Sequence, residues 1–202
     1  MKEIVVIDYK IGNVDSVVSA IKILGYKPLL TNNKEIINNA KKIIMPGQGS
    51  FDFGMKKINE LGILETIQTK ILNDKIPTLG ICLGMHLLAK FGYENNVKTK
   101  GLDCINGKVK KIESDVRLPH IGWSENYIKI NDKIIKDIKD KSDFYYAHSF
   151  YFDCEDKDII ANSIYGKKFP SIIKKNNIYG VQFHPEKSLK NGLKILDNFL
   201  KI

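Results

Sequence analysis

Pro77-Thr78-Leu79-Gly80-Ile81-Cys82-Leu83-Gly84 is a short apolar run that delivers a cysteine between two glycines. Residues 77–81 have the length and continuous apolarity of a strand buried on both faces, and Leu83 opens a helical pattern reaching to about residue 91. Upstream, the same alternation repeats. Residues 3–7 read as a buried strand, and residues 15–24 place Val17, Val18, Ile21 and Leu24 at helical spacing before Gly25 stops the helix. A strand at 27–30, a helix at 34–39 and a strand at 42–45 follow, the last ended by Pro46-Gly47. Met55, Ile58 and Leu61, then Ile63, Ile67 and Ile71, give two helical segments broken near Gly62. Strands alternating with helices predict a parallel sheet covered on both sides.

Downstream the character changes. From 107 to 181 the runs are short, rich in β-formers and joined by turn residues, which predicts antiparallel or mixed sheet added beside the parallel one. Residues 189–200 close the chain as an amphipathic helix with Leu193, Leu196, Phe199 and Leu200 inward. The expected fold class is α/β, with a mostly parallel central sheet flanked by helices and an added antiparallel or mixed sheet. With 202 residues, no Gly/Ser linker and no repeat, the expected organisation is one domain over 1–202.

Composition narrows the function. The net charge is +9, but of 32 basic residues only Arg117 is arginine. Nucleic-acid readers rely on arginine for bidentate contacts to guanine, so a charge carried by lysine predicts a solvated surface and no nucleic-acid partner. The three cysteines, Cys82, Cys104 and Cys154, lie far apart without ligand spacing, so neither a disulfide framework nor a metal site is expected. The N-terminal apolar run is too short for a signal segment, and no stretch is long enough to span a membrane; a cytoplasmic protein is expected.

The form G-x-C-x-G at a strand-to-helix junction is that of a nucleophile elbow. A sharp turn presents Cys82, small residues two before and two after let strand and helix approach, and free N–H groups at the helix start favour a thiolate or an oxyanion. A cysteine nucleophile needs a base and a group that orients it. In Gln182-Phe183-His184-Pro185-Glu186, Pro185 keeps His184 extended, so His184 and Glu186 face the same way. His120 and His148 read as structural histidines. Met45-Pro46-Gly47-Gln48-Gly49 ends a strand with exposed backbone N–H groups, and lacks the third glycine and the lysine of nucleotide loops.

These elements, with Pro119-His120-Ile121-Gly122-Trp123, Ala147-His148-Ser149-Phe150 and His184-Pro185-Glu186-Lys187-Ser188, resemble class I (triad-type) glutamine amidotransferases. More narrowly they resemble the glutaminase subunits of imidazole glycerol phosphate synthases. The resemblance implies a single glutamine amidotransferase domain that hydrolyses glutamine without a cofactor or metal. Cys82 would be the nucleophile, His184 the acid and base, and Glu186 the orienting group. It implies an oxyanion hole from the Leu83 N–H and an N–H of Gly47, Gln48 or Gly49, on a strand misaligned until a partner docks. Glutamine would be held by Gly49, Glu94, Ser149 and Phe150, with His86 standing where the family usually has glutamine. Tyr9-Lys10 and Gln48 are further departures. Asn13, Trp123, Tyr145 and Lys187 would face the partner, a HisF-like (βα)8-barrel cyclase or a related synthase subunit that takes up the ammonia, such as one amidating a sugar nucleotide. A non-catalytic, chaperone-like relative would not need Glu186 two residues beyond the histidine.

Overall fold

The computed structural model describes residues 3–12, 14–94, 97–113 and 115–202. The strands among the described residues are β1 Ile4–Ile7, β2 Pro28–Thr31, β3 Lys42–Met45, β4 Thr78–Ile81, β5 Ala89–Glu94, β6 Val97–Lys100, β7 Ile105–Lys111, β8 His120–Ile128, β9 Ser142–His148, β10 Phe150–Cys154, β11 Ile159–Tyr165, β12 Lys167–Lys175 and β13 Ile178–Val181. The α-helices are α1 Val14–Ile23, α2 Lys34–Asn38, α3 Phe51–Glu60, α4 Leu64–Gln68, α5 Leu83–Leu87 and α6 Leu189–Lys201. Among the described residues, nine strands form one sheet in the order β2-β1-β3-β4-β13-β12-β11-β8-β9, and four form a second, β10-β7-β5-β6.

The block from β2 to β13 is parallel, as the alternation predicts. Its inner strands β1, β3, β4 and β13 are buried on both faces because successive side chains enter different cores, while the edge strand β2 leaves Leu29 and Leu30 exposed. Ile4 and Val6 pack with Val17 and Ile21 of α1 and Leu196 and Phe199 of α6. Val5 and Ile7 pack on the other side with Met55 and Ile58 of α3, Met85 of α5, and Val109 and Phe152 of the second sheet. Among the described residues no helix is long and apolar enough to cross a membrane.

Two expectations change. The helix that starts at Leu83 ends at Leu87, and residues 89–94, expected to continue it as far as 91, form β5. The cause is tertiary: the Leu87 and Leu88 carbonyls accept from the N–H groups of Leu102, Cys104 and Ile105 instead of a next helical turn. Gly92 then presses its backbone on Phe51, where an added Cβ would sit 2.4 Å from the ring. The added mixed sheet exists, but β12, β11, β8 and β9 do not belong to it; they extend the parallel sheet through antiparallel pairing of β12 with β13.

Candidate active site

The parallel strands deliver three chain segments to one end of the sheet. Cys82 follows β4, the 46–49 segment follows β3, and His184 follows β13; β4 lies between the other two strands. Adjacent strands ending together are the usual origin of a site in a parallel sheet.

Cys82 has φ 51° and ψ −107°, a sparsely populated conformation for a residue with a side chain. The flanking glycines are required by contact. An added Cβ on Gly80 would lie 2.6 Å from the Gly84 oxygen, and one on Gly84 would lie 1.7 Å from the Met45 carbonyl oxygen. The elbow therefore exists because strand and helix touch through bare backbone. With α5 only five residues long, no long-helix dipole acts on Cys82.

His184 and Glu186 face the same site, with Nδ1 of the ring 2.9 Å from Glu186 Oε1 and both side chains almost fully buried. The turn that carries them is stitched to β9: the His184 N–H donates to the Tyr145 carbonyl at 2.9 Å, and Ser188 Oγ accepts from the Tyr145 N–H while donating to the His184 carbonyl. Burial opposes a charged ring, yet the Cys82 sulfur and then Glu186 outweigh it and raise the His184 pKa well above 6.5. Nε2 is buried and has no hydrogen-bond partner within bonding distance among the described residues. A positively charged imidazole beside the Cys82 sulfur is poised to give a proton to a leaving group.

A cavity of about 380 Å³ opens over Cys82, lined by Gln48, Gly49, Leu83, His86, Glu94, Ser149, Phe150 and Lys187 among others. Of the residues expected to hold substrate, Gly47 alone is not on its wall. Instead the Gly47 carbonyl lies 3.4 Å from the Leu83 N–H and accepts from it. The donor expected to serve an oxyanion is thus occupied by the protein's own backbone. Beneath this segment, the Tyr9 hydroxyl is fully buried and, among the described residues, without a hydrogen-bond partner, 2.7 Å from where a Gly47 Cβ would stand. Burial, then the Cys82 charge, raises its pKa. Glu94 Oε2 accepts the Phe51 N–H at 2.6 Å, tying β5 to the start of α3. Its carboxyl is shifted upward, chiefly by burial, against the hydrogen bond from Phe51.

Trp123 and Tyr145 pair across β8 and β9, with rings 5.9 Å apart, and Lys187 Nζ stands 5.8 Å from the Tyr145 ring centre. These three make one patch, with Trp123 48% exposed. Asn13, expected at the same face, lies outside the described residues.

Gln182 was not singled out by sequence. It is buried, its Oε1 is 2.7 Å from His86 Nε2, and its Nε2 is 4.0 Å from Cys82 Sγ. The alternation that pairs His184 with Glu186 also puts Gln182 on their side, and was the signal available. His120 and His148, read as structural, hydrogen-bond to each other at 3.0 Å, and His148 also lines the cavity.

The glutamine amidotransferase class-I family matches residues 5–202. The imidazole glycerol phosphate synthase subunit HisH 2 of Methanococcus maripaludis is 45% identical over 203 residues, covering 98% of both chains. Subunit HisH 1 of Campylobacter jejuni is 44% identical, covering 98% of this chain and all of that one. Among solved structures, a glutamine amidotransferase superimposes with a TM-score of 0.77 at 18% identity, covering 98% and 97% of the two chains. A putative GMP synthase subunit from Thermoplasma acidophilum gives 0.75 at 19%, covering 100% and 93%; both establish shared fold. By sequence over nearly its whole length, the chain belongs to the class I glutamine amidotransferases and, within them, to the HisH family.

Proposed function

We propose that this chain, as one domain over 1–202, is a glutaminase subunit that hydrolyses glutamine and hands the ammonia to a HisF-like (βα)8-barrel cyclase, which uses it to form imidazole glycerol phosphate. The observation that carries the reading is a strained, buried cysteine whose sulfur interacts with a buried histidine held at its Nδ1 by a carboxylate. Cys82 attacks the side-chain carboxamide, and the His184 imidazolium protonates the departing ammonia. Water then attacks the glutamyl thioester with neutral His184 as base, while Glu186 holds the ring. Gln48, Gly49, His86, Glu94, Ser149 and Phe150 form the glutamine pocket. The oxyanion hole becomes available when the 47–48 peptide turns, replacing the Gly47 carbonyl with the Gln48 N–H opposite Leu83. Docking on Trp123, Tyr145 and Lys187 drives that turn, so the subunit alone is nearly inactive.

The test is glutamine hydrolysis with and without the cyclase. Addition of the cyclase should raise kcat by orders of magnitude, and Cys82→Ala should lower it by about 10⁴-fold or more with binding of the two subunits retained. Hydrolysis surviving in Cys82→Ala would remove the cysteine from the mechanism.

A second reading keeps the same chemistry and changes the acceptor to a sugar nucleotide on another synthase. It draws on the numerals in the names of the relatives at 45% and 44% identity, HisH 2 and HisH 1, which mark each as one of a numbered set. Identification of the synthase that co-purifies with the tagged chain separates the two.

A further inference from the structure

His86 and Gln182 lie outside the proposed triad and the partner patch, yet they meet beside the nucleophile. His86 sits one helical turn beyond Cys82 on α5 and is buried. Gln182 follows β13 and is fully buried, its backbone N–H fixed on the Ser171 carbonyl at 2.9 Å. Between their side chains is a hydrogen bond of 2.7 Å from His86 Nε2 to Gln182 Oε1, and Gln182 Nε2 reaches Cys82 Sγ at 4.0 Å.

A carboxamide has a donor end and an acceptor end, and which end faces sulfur decides its effect. With its oxygen turned to Cys82, Gln182 would repel a thiolate; with its NH2 group turned there, it stabilises one. A neutral imidazole carrying its proton on Nε2 donates to Oε1 and so selects the second orientation. Burial supports that neutral form by pushing His86 down to about 4, against the hydrogen bond to Gln182. We propose that His86 is a positioning residue that acts on Cys82 through Gln182, locking the carboxamide so that its NH2 group donates to the Cys82 thiolate. The proposal rests on the reading of Cys82 as nucleophile and assigns roles to two residues beyond the triad. It also spends the Nε2 of His86 on the protein, leaving that atom unable to serve glutamine.

Other titratable groups surround the same sulfur. His184, backed by Glu186, and Tyr9 from the segment after β1 interact with it, while His148, Glu94 and Lys187 line the cavity. All stay in place when only residues 86 and 182 are changed.

The experiment is the pH profile of Cys82 alkylation by iodoacetamide on the isolated subunit, followed by peptide mass spectrometry. Cys104 and Cys154, both pushed up to about 12 chiefly by burial, are the internal references. Gln182→Met keeps the volume and removes the donor, and should move the alkylation midpoint up by about one pH unit. His86→Leu should move it the same way by less, and His86→Gln, whose amide again donates to Gln182, should restore it. In the complex with the cyclase, Gln182→Met should lower kcat about tenfold with KM for glutamine little changed. Midpoints equal to the parent's in both Gln182→Met and His86→Leu would overturn the proposal, as would a rise in KM alone. Failure of the glutaminase reading is distinguishable, because it appears as hydrolysis retained in Cys82→Ala and leaves the alkylation profile intact.

Discussion

Cys82 is held in a backbone conformation that costs a residue with a side chain about 1–3 kcal/mol. The strain persists because β4 and α5 are fixed by what packs around them. Replacing the residue separates chemistry from strain: Cys82→Gly should be more stable than Cys82→Ala by about 1–2 kcal/mol in urea unfolding, since only glycine relaxes at that geometry. Neither variant should hydrolyse glutamine. His184 offers a complementary test. Its proton is retained by the Cys82 sulfur and by Glu186 against the cost of burial. Removing the carboxylate charge in Glu186→Gln lets the proton leave at lower pH. The alkaline limb of kcat/KM in the complex should therefore move down by about one pH unit or more.

The elbow is an element-scale device, and its glycines were legible for the right reason. Gly84→Ala would place a methyl group 1.7 Å from the Met45 oxygen, between two backbones that have no room to part. A loss of about 3 kcal/mol is expected in urea unfolding, and the variant should lose the cavity geometry with it. The strand at 42–45 was readable to the residue, because continuous apolarity bounded by Pro46-Gly47 leaves one choice. The strand β5 was not. Residues 83–91 carry a helical pattern, and what ends the helix at Leu87 is pairing with 102–105, which no local pattern encodes. The same limit applies within the site. Cys82, His184 and Glu186 announce themselves by spacing, while the Gly47–Leu83 hydrogen bond joins residues that neither chain order nor composition relates. Gln182 lies between these cases, since its side of the strand was readable and its bond to His86 was not.

At the scale of the whole molecule, acid stability follows from histidines buried without charge. Burial depresses His86 and His120 to about 4 and His148 to about 3, against 6.5 in the unfolded chain. Between those limits the unfolded chain binds more protons, so stability must fall as pH drops from 6.5 toward 4. Each group adds a slope of about 1.4 kcal/mol per pH unit. His184 is raised and contributes nothing in that window, being charged in both states. Urea midpoints at pH 6 and 4.5 should show the loss, and His86→Leu should make it shallower. Of the lysines that carry the +9 charge, Lys187 lines the cavity. The hydrogen bond between the Gly47 carbonyl and the Leu83 N–H, at 3.4 Å, has a different kind of consequence. A bond that long holds the idle peptide by only about 1 kcal/mol, and every 1.4 kcal/mol multiplies a population tenfold. On the proposed mechanism, idle glutamine consumption is thus a dial set by residues 47–49, and loss of that one bond would turn it about fivefold without touching a reacting atom.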